Sequence, residues 1–323
     1  MRILSAFLVL FSAVLFTSCD TAQAQQPTVY CVGDSTVKNG SGKGDGGLWG
    51  WGDFIGQFLD TTKIKVANHA LGGTSSRTFQ SKGLWQPVLD SLQKGDYVLI
   101  QFGHNDSGAL NDDSRARGTI KGTGEETEEI DNMLTGEHEV VHSYGWYIRK
   151  VVTEAKAKGA IPVVMAPIPR NDWKDGQVPR NDKSYGGWAK QIAEEEGVTF
   201  INLNDKMASA MEAQGEDAVT GNLFYKRDHT HTSAKGAVLA ASLIAEGLQE
   251  SDNSLKEYVL ENPEITLPRK RNLFIIGDST VANNGQDGKT GWGVYLPQHI
   301  DTTRMNVYNK ARGGRSSRTL RYE

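Results

Sequence analysis

Apolar residues in this chain come in short runs, and most of the runs end on glycine or small polar residues. Thr28-Val29-Tyr30-Cys31 leads into Val32-Gly33-Asp34-Ser35-Thr36. Ile64–Asn68 leads into Leu71-Gly72-Gly73-Thr74-Ser75-Ser76-Arg77. Asp96–Phe102, the clearest buried strand, leads into Gly103-His104-Asn105-Asp106. Ile161–Ala166 precedes Pro167-Ile168-Pro169-Arg170-Asn171, and Val198–Leu203 makes a fifth run. Such runs predict buried strands. Segments with helical spacing lie between them. Trp49–Leu59 is predicted as an amphipathic helix entered through Gly50-Trp51-Gly52. His142–Lys158 puts Tyr147, Ile148, Val151, Val152 and Ala155 on one face and stops at Gly159. Gly186–Glu196, Asp205–Gln214 and Thr232–Leu248 complete the helical set. Strands alternating with helices predict a parallel sheet covered on both faces.

The polar stretches interrupt this rhythm unevenly. Gly42-x-Gly44-x-x-Gly47 formally matches a dinucleotide fingerprint, but no strand immediately precedes it, so that reading is rejected. Ser107–Glu139 is too long for an ordinary connection and leaves the carboxyl end of a central strand. It is read as a lid or rim, with Glu125, Glu126, Glu128 and Glu129 as a solvated face. Residues 251–271, with Pro263 and Pro268, read as a linker.

At the start of the chain, Arg2 precedes the apolar run Ile3–Phe16, so residues 1–18 read as a signal peptide. The run is too short for a comfortable membrane span. Phe16-Thr17-Ser18-Cys19 resembles a bacterial lipobox with Cys19 as the lipidated residue, and Ala22-Gln23-Ala24 offers ordinary secretory cleavage instead. The lipoprotein reading is preferred because the apolar run passes straight into the cysteine. Either cleavage exports the mature protein, to the outer membrane or periplasm by a lipid anchor, or as a secreted form.

The chain then repeats itself. Ile276-Gly277-Asp278-Ser279-Thr280-Val281 matches Val32–Val37, and Gly291-Trp292-Gly293 matches Gly50-Trp51-Gly52. Asn309–Thr319 matches Asn68–Thr78. A domain over 28–250 and an incomplete second copy over 272–323 are therefore expected. The copy stops before any equivalent of Gly103–Asp106 or Asp228-x-x-His231, as a truncated two-domain gene would, and is expected to be inactive and poorly stable alone.

Composition narrows the chemistry. A net charge of −4 over 323 residues gives no reason to expect nucleic acid as a partner. Cys19 and Cys31 are the only cysteines, so there is no disulfide framework and no cysteine metal site. Cys31, inside a strand, reads as a small buried hydrophobe.

Ser35 stands where open α/β sheets place their chemistry. A hydroxyl needs a base, a group to orient that base, and donors for the developing oxyanion. On its own, Gly-Asp-Ser-Thr describes no more than a strand-to-helix turn. Four blocks in order say more: Gly-Asp-Ser35, Gly73, Gly-His-Asn105-Asp and Asp228-x-x-His231. Together with Gly-Trp-Gly, Gly-Gly-x-Ser-Ser-Arg and Asp-His-Thr-His, they resemble the SGNH branch of the GDSL hydrolases, most closely its rhamnogalacturonan acetylesterases. The resemblance covers residues 28–250. It implies a flavodoxin-like three-layer α/β/α sandwich with a five-stranded parallel sheet. It also implies Ser35 as nucleophile, His231 as base and Asp228 as its orienting carboxylate. The Gly73 N–H, the Asn105 side chain and the Ser35 N–H would form the oxyanion hole. The pattern places the base third after the aspartate, which favours His231 over His229. The His-x-His pair finds no third ligand, so no metal and no cofactor are expected. The absence of a G-x-S-x-G elbow argues against an α/β-hydrolase.

The implied substrate is an acetylated, anionic pectic polysaccharide, and Arg77 and Arg170 follow strand ends where either could meet a carboxylate. Trp49, Trp51 and Trp173 are expected to pack rather than to stack on sugars. Competing expectations are an acetylesterase acting on another polysaccharide such as xylan, an esterase of lipids or thioesters, and a non-catalytic carbohydrate-binding lipoprotein. Oligomeric state is open.

Overall fold

The computed structural model describes residues 26–283, 290–302 and 305–319. The signal segment, Cys19 and Ala24 lie outside them. In chain order the elements are β1 (Thr28–Gly33), β2 (Lys65–Asn68), α1 (Ser76–Ser81), α2 (Trp85–Ser91), β3 (Tyr97–Gln101), β4 (Thr127–Asp131) and β5 (His138–His142). There follow α3 (Tyr144–Ala157), β6 (Ile161–Met165), α4 (Tyr185–Glu196), β7 (Thr199–Ile201), α5 (Leu203–Gln214), α6 (Glu216–Val219) and α7 (Ala234–Gln249). The second repeat contributes β8 (Arg271–Ile275) and β9 (Met305–Asn309).

Five parallel strands form one sheet in the order β2-β1-β3-β6-β7. Side chains alternate across it, as the two-residue period of a strand requires. Val29, Cys31, Tyr97, Leu99, Val163 and Met165 enter one core, with α5, α7 and the segment Trp51–Leu59. Tyr30, Val32, Val98, Ile100 and Val164 enter the other, with α1 to α4. Both faces are covered, which gives the expected three layers. The chain turns outward in both directions from the neighbours β1 and β3, and ligands collect beyond the carboxyl ends of strands at such a switch.

The segment Trp49–Leu59 departs from expectation. It forms two short 3₁₀ turns, Trp51–Asp53 and Ile55–Phe58, and no α-helix. Its glycines serve close backbone approach. A Cβ on Gly50 would lie 2.1 Å from the Val37 carbonyl carbon, and one on Gly52 would lie 2.8 Å from the Val37 oxygen. The apolar spacing is real, but the backbone of this segment is pressed against the turn after β1, and the bonds Trp51 N–H to Thr36 O and Gly52 N–H to Val37 O replace helical ones.

Ser107–Glu139 is a structured rim. It contains part of the antiparallel hairpin β4–β5, and Glu125, Glu126, Glu128 and Glu129 are exposed. The segment read as a linker begins with a turn, Ser254–Tyr258, that buries Leu255 against the first core. Leu59 and Val259 bridge there. In the second repeat β8 and β9 pair in parallel as a two-stranded sheet. Among the described residues, no helix is long and apolar enough to cross a membrane.

Candidate active site

The turn after β1 is fixed by a chain of buried hydrogen bonds. Trp51 Nε1 donates to Gln101 Oε1 at 3.0 Å, and Gln101 Nε2 donates to Thr36 Oγ1 at 2.5 Å. Thr36 in turn donates from both its hydroxyl and its backbone N–H to Asp34 Oδ1, at 2.7 and 2.8 Å. Asp34 and Thr36 are buried, so this network leaves Ser35 little freedom to move. Nothing in the spacing of the sequence ties Trp51 and Gln101 to this turn.

The loop before α7 brings up the partner. His231 Nε2 lies 2.8 Å from Ser35 Oγ, and His231 Nδ1 lies 2.8 Å from Asp228 Oδ2. A carboxylate only accepts, so Nδ1 carries the hydrogen and Nε2 is left to accept from the serine hydroxyl. Asp228 Oδ1 accepts the backbone N–H groups of Thr230 and His231, each at 2.9 Å. Burial pushes the Asp228 carboxyl up, but the hydrogen bonds from His231 and Thr230 outweigh it and hold the group below its ordinary value. The loop is stitched to the other end of the first repeat. Trp49 N–H donates to Thr232 O at 3.0 Å, and the Thr232 hydroxyl donates to Trp49 O at 2.8 Å. His229 points elsewhere, to Asp172 Oδ1 at 2.6 Å.

Two further loops follow the carboxyl ends of β2 and β3, on either side of β1. Gly73, with φ of 82°, occupies a left-handed conformation that suits glycine. A Cβ on its neighbour Gly72 would sit 3.4 Å from Ser35 Cβ. Asn105, at the end of β3, donates from Nδ2 to Thr74 O at 2.8 Å, which ties the two loops together. Among the described residues, the N–H groups of Ser35 and Gly73 donate to no backbone or side-chain acceptor. Asp106 completes the junction by accepting from Ser76 N–H at 3.0 Å and from the Ser76 hydroxyl at 2.5 Å. Burial pushes its carboxyl up to about 7, despite these bonds. His104 is held below its ordinary value, first by burial.

The arginines correct one expectation. Arg77 is buried and does not face the cleft. Its guanidinium forks onto Glu139, with Nε at 2.7 Å and Nη2 at 2.5 Å. Nη1 caps the carbonyls of Leu110 and Gly118 at 2.7 and 2.9 Å. This geometry spends the donors of Arg77 on fastening the rim to α1. Arg170 does border the site. It donates to the Thr230 hydroxyl and lines a cavity of about 230 Å³ with His104, Asp172 and Tyr185. A cation absent from the sequence expectations, Arg117, reaches in from the rim, and its Nη1 donates to Gly73 O at 2.9 Å.

Of the tryptophans, Trp51 is fully buried, Trp49 packs on Phe54 and Trp173 bonds to Asn171. Cys31 is a buried free thiol pushed up by burial. Among the described residues no group of three His, Cys, Asp or Glu side chains could hold a metal ion.

Comparison with known proteins identifies the family. A model of the GDSL-like Lipase/Acylhydrolase family matches residues 31–239. A rhamnogalacturonan acetylesterase of Emericella nidulans is 36% identical over 214 residues, covering 66% of this chain and 81% of that protein. A probable rhamnogalacturonan acetylesterase of Bacillus subtilis, YesY, is 30% identical over 237 residues, covering 72% of this chain and 97% of its own. The crystal structure of Bacillus subtilis YxiM superposes with a TM-score of 0.56 at 24% identity, covering 70% of this chain and 56% of that one, and bears on the fold alone.

Proposed function

The chain belongs to the GDSL-like lipase/acylhydrolase family and is a serine carbohydrate esterase; from that premise we propose that it removes acetyl groups from rhamnogalacturonan through Ser35, His231 and Asp228. The observation that carries the reading is the continuous line Asp228–His231–Ser35, with both links at 2.8 Å.

The chemistry follows from the proton positions. Ser35 Oγ attacks the acetyl carbonyl while its proton passes to His231 Nε2. The carbonyl oxygen becomes an oxyanion, which we assign to the N–H groups of Ser35 and Gly73 and the second hydrogen of the Asn105 amide. Losing one such donor costs on the order of 10²–10³ in rate. Collapse breaks the bond to the sugar oxygen, which leaves with the proton from Nε2. Water then repeats the sequence on the acetyl-serine and releases acetate. Asp228 stays ionised, holds the tautomer and stabilises the imidazolium. In the cavity beside Thr230, Arg170 is proposed as a contact for substrate.

Acetate release from acetylated rhamnogalacturonan and from acetylated xylan, by wild type and Ser35→Ala, tests the reading. Serine-dependent release that favours rhamnogalacturonan is expected. Preference for xylan would move the substrate, and equal slow hydrolysis by both proteins would end the enzyme reading.

The export route is part of the proposal. Lipid attachment at Cys19 rests on the apolar run that leads directly into that residue. Fatty-acid labelling that is lost in Cys19→Ala is expected; a wild type that takes up no label would replace it with cleavage after Ala24.

A further inference from the structure

Arg117 is the charged side chain set against the oxyanion glycine, and its placement is built rather than incidental. The residue before it, Ala116, has φ of 39°, a left-handed conformation that costs a non-glycine residue energy. A cradle holds that conformation: Asp112 Oδ1 accepts the N–H groups of Ser114, Arg115 and Ala116 at 2.8, 2.5 and 3.1 Å. The residue after it, Gly118, donates to Ala109 O at 2.8 Å and gives its carbonyl to the buried Arg77. Arg117 is thus pinned on both sides, and its guanidinium is aimed at Gly73.

Among the described residues its guanidinium makes one hydrogen bond, from Nη1 to Gly73 O. That carbonyl is neutral. Asp34, Asp106 and Asp112 act on Arg117 through space, as does the like charge of Arg115. No carboxylate lies within ion-pair distance among the described residues, whereas Arg77, Arg149 and Arg180 all hold theirs. Arg117 is half-buried, so its fork is partly desolvated and still accessible. A planar fork with spare donors and no anion of its own is suited to bind a carboxylate in two-point fashion.

We infer that Arg117 is a specificity-determining residue that binds the carboxylate of a uronic acid unit in the polysaccharide, beside the sugar whose acetyl ester enters the oxyanion hole. This inference rests on the pectic-esterase reading above and assigns the part of the substrate that the rim recognises. Rhamnogalacturonan carries one carboxylate on every uronic acid unit, and xylan backbones carry none on the sugars that bear acetyl groups. Such a contact would discriminate between them by charge, independently of the serine chemistry.

The test compares two polymers of equal acetyl content: one with free uronate carboxylates, the other with those carboxyls reduced to alcohols. The quantity read is the ratio of kcat/KM for the charged polymer to that for the reduced one. Both polymers use the same oxyanion hole, so any shift of Gly73 caused by a substitution cancels in the ratio. Wild type is expected to favour the charged polymer by about 10–100-fold, the scale of one charge-assisted, partly desolvated contact. Arg117→Gln should bring the ratio close to one, mainly through KM. Arg117→Lys keeps a charge without the fork and should fall between them, and it serves as the folded comparator if the glutamine variant is unstable. A wild-type ratio near one overturns the inference. So does a full wild-type ratio in Arg117→Gln, or loss of the ratio in Arg170→Gln alone, which would move recognition to Arg170. If Ser35-dependent acetate appears from neither polymer, the parent reading fails, and the inference with it; the other failures leave that reading standing.

Discussion

The turn after β1 and the turn after β8 are built from the same local bonds. Thr36 donates its N–H and hydroxyl to Asp34 at 2.8 and 2.7 Å; Thr280 does the same to Asp278 at 2.9 and 2.8 Å. Asn68 Nδ2 meets Val37 O at 3.2 Å, and Asn309 Nδ2 meets Val281 O at 2.9 Å. Ser75 N–H reaches Thr78 Oγ1 at 2.8 Å, and Ser316 N–H reaches Thr319 Oγ1 at 2.9 Å. What differs is everything beyond the local sequence. Trp51 is fully buried, while Trp292 is 54% exposed; Val32 is fully buried, while Ile276 is 60% exposed. The first turn has β3, Gln101 and the loop of His231 packed around it. Among the described residues, the second has one neighbouring strand, β9. Local sequence therefore sets the shape of the serine turn, and chemistry and stability come from distant elements that meet it.

The largest separation between the repeats should lie in catalysis. Ser35→Ala is expected to reduce kcat by on the order of 10⁴–10⁶ on an acetate ester, as removal of a triad nucleophile does. Ser279→Ala should leave activity on that ester unchanged, because the triad proposed above lies wholly in the first repeat. A measurable loss in Ser279→Ala would break the comparison outright. Stability should separate next. Trp51→Ala removes a large core side chain and the donor to Gln101, and should cost about 3–5 kcal/mol in urea unfolding. Trp292→Ala should stay within about 0.5 kcal/mol.

The same contrast explains what the sequence made legible. Strands β1, β3 and β6 could be read because their apolar runs are short, buried on both faces and closed by Gly33, Gly103 and Pro167. The Ser35, Asn105 and Asp228-His231 blocks could be read because each lies within a few residues of a strand end or helix start. Trp49–Leu59 could not, because its apolar spacing satisfies a helix while its glycines answer to a backbone elsewhere in the fold. Arg77 misled for a related reason. Its position after a strand end is visible in sequence, but its partner Glu139 lies at the far end of the rim. Arg117 carried no signal at all, since it belongs to a polar stretch with no period, and its role depends on a carbonyl more than forty residues away.

The response to pH should separate the repeats by a smaller amount. Burial holds Asp106 protonated up to about 7, far above a free aspartate. The folded state then binds a proton that the unfolded chain has released between pH 4 and 7, so stability falls as pH rises through that window. The stabilisation is complete below about pH 4 and lost above about pH 7, a change of roughly 2–4 kcal/mol. Asp53, pushed up to about 6 by burial, acts with the same sign. Asp106→Asn keeps an acceptor for Ser76 and cannot ionise, so it should flatten most of the slope and leave the part due to Asp53. Asp278 is the opposite case: its bonds from Thr280 hold it below its ordinary value, so its contribution is complete above that value and is lost as pH falls below it. A slope that is unchanged in Asp106→Asn would remove this acid from the account.

The finest test concerns the matched arginines Arg77 and Arg318. Both follow a Gly-Gly-x-Ser-Ser motif, and only the first is buried against a carboxylate. Arg77→Lys retains the positive charge but replaces a fork with a single ammonium. An ammonium cannot span Glu139, Leu110 and Gly118 together, so at least one carbonyl loses its donor. The expected cost is about 1–2 kcal/mol, the scale of one or two charged hydrogen bonds. Because those bonds hold the rim that carries Arg117, the loss should also raise KM for polymeric substrate more than for a small acetate ester. Arg318→Lys, on an exposed turn, should alter neither quantity. If both substitutions behaved alike, burial would not be what distinguishes the two repeats, and the rim would owe its position to contacts other than this ion pair.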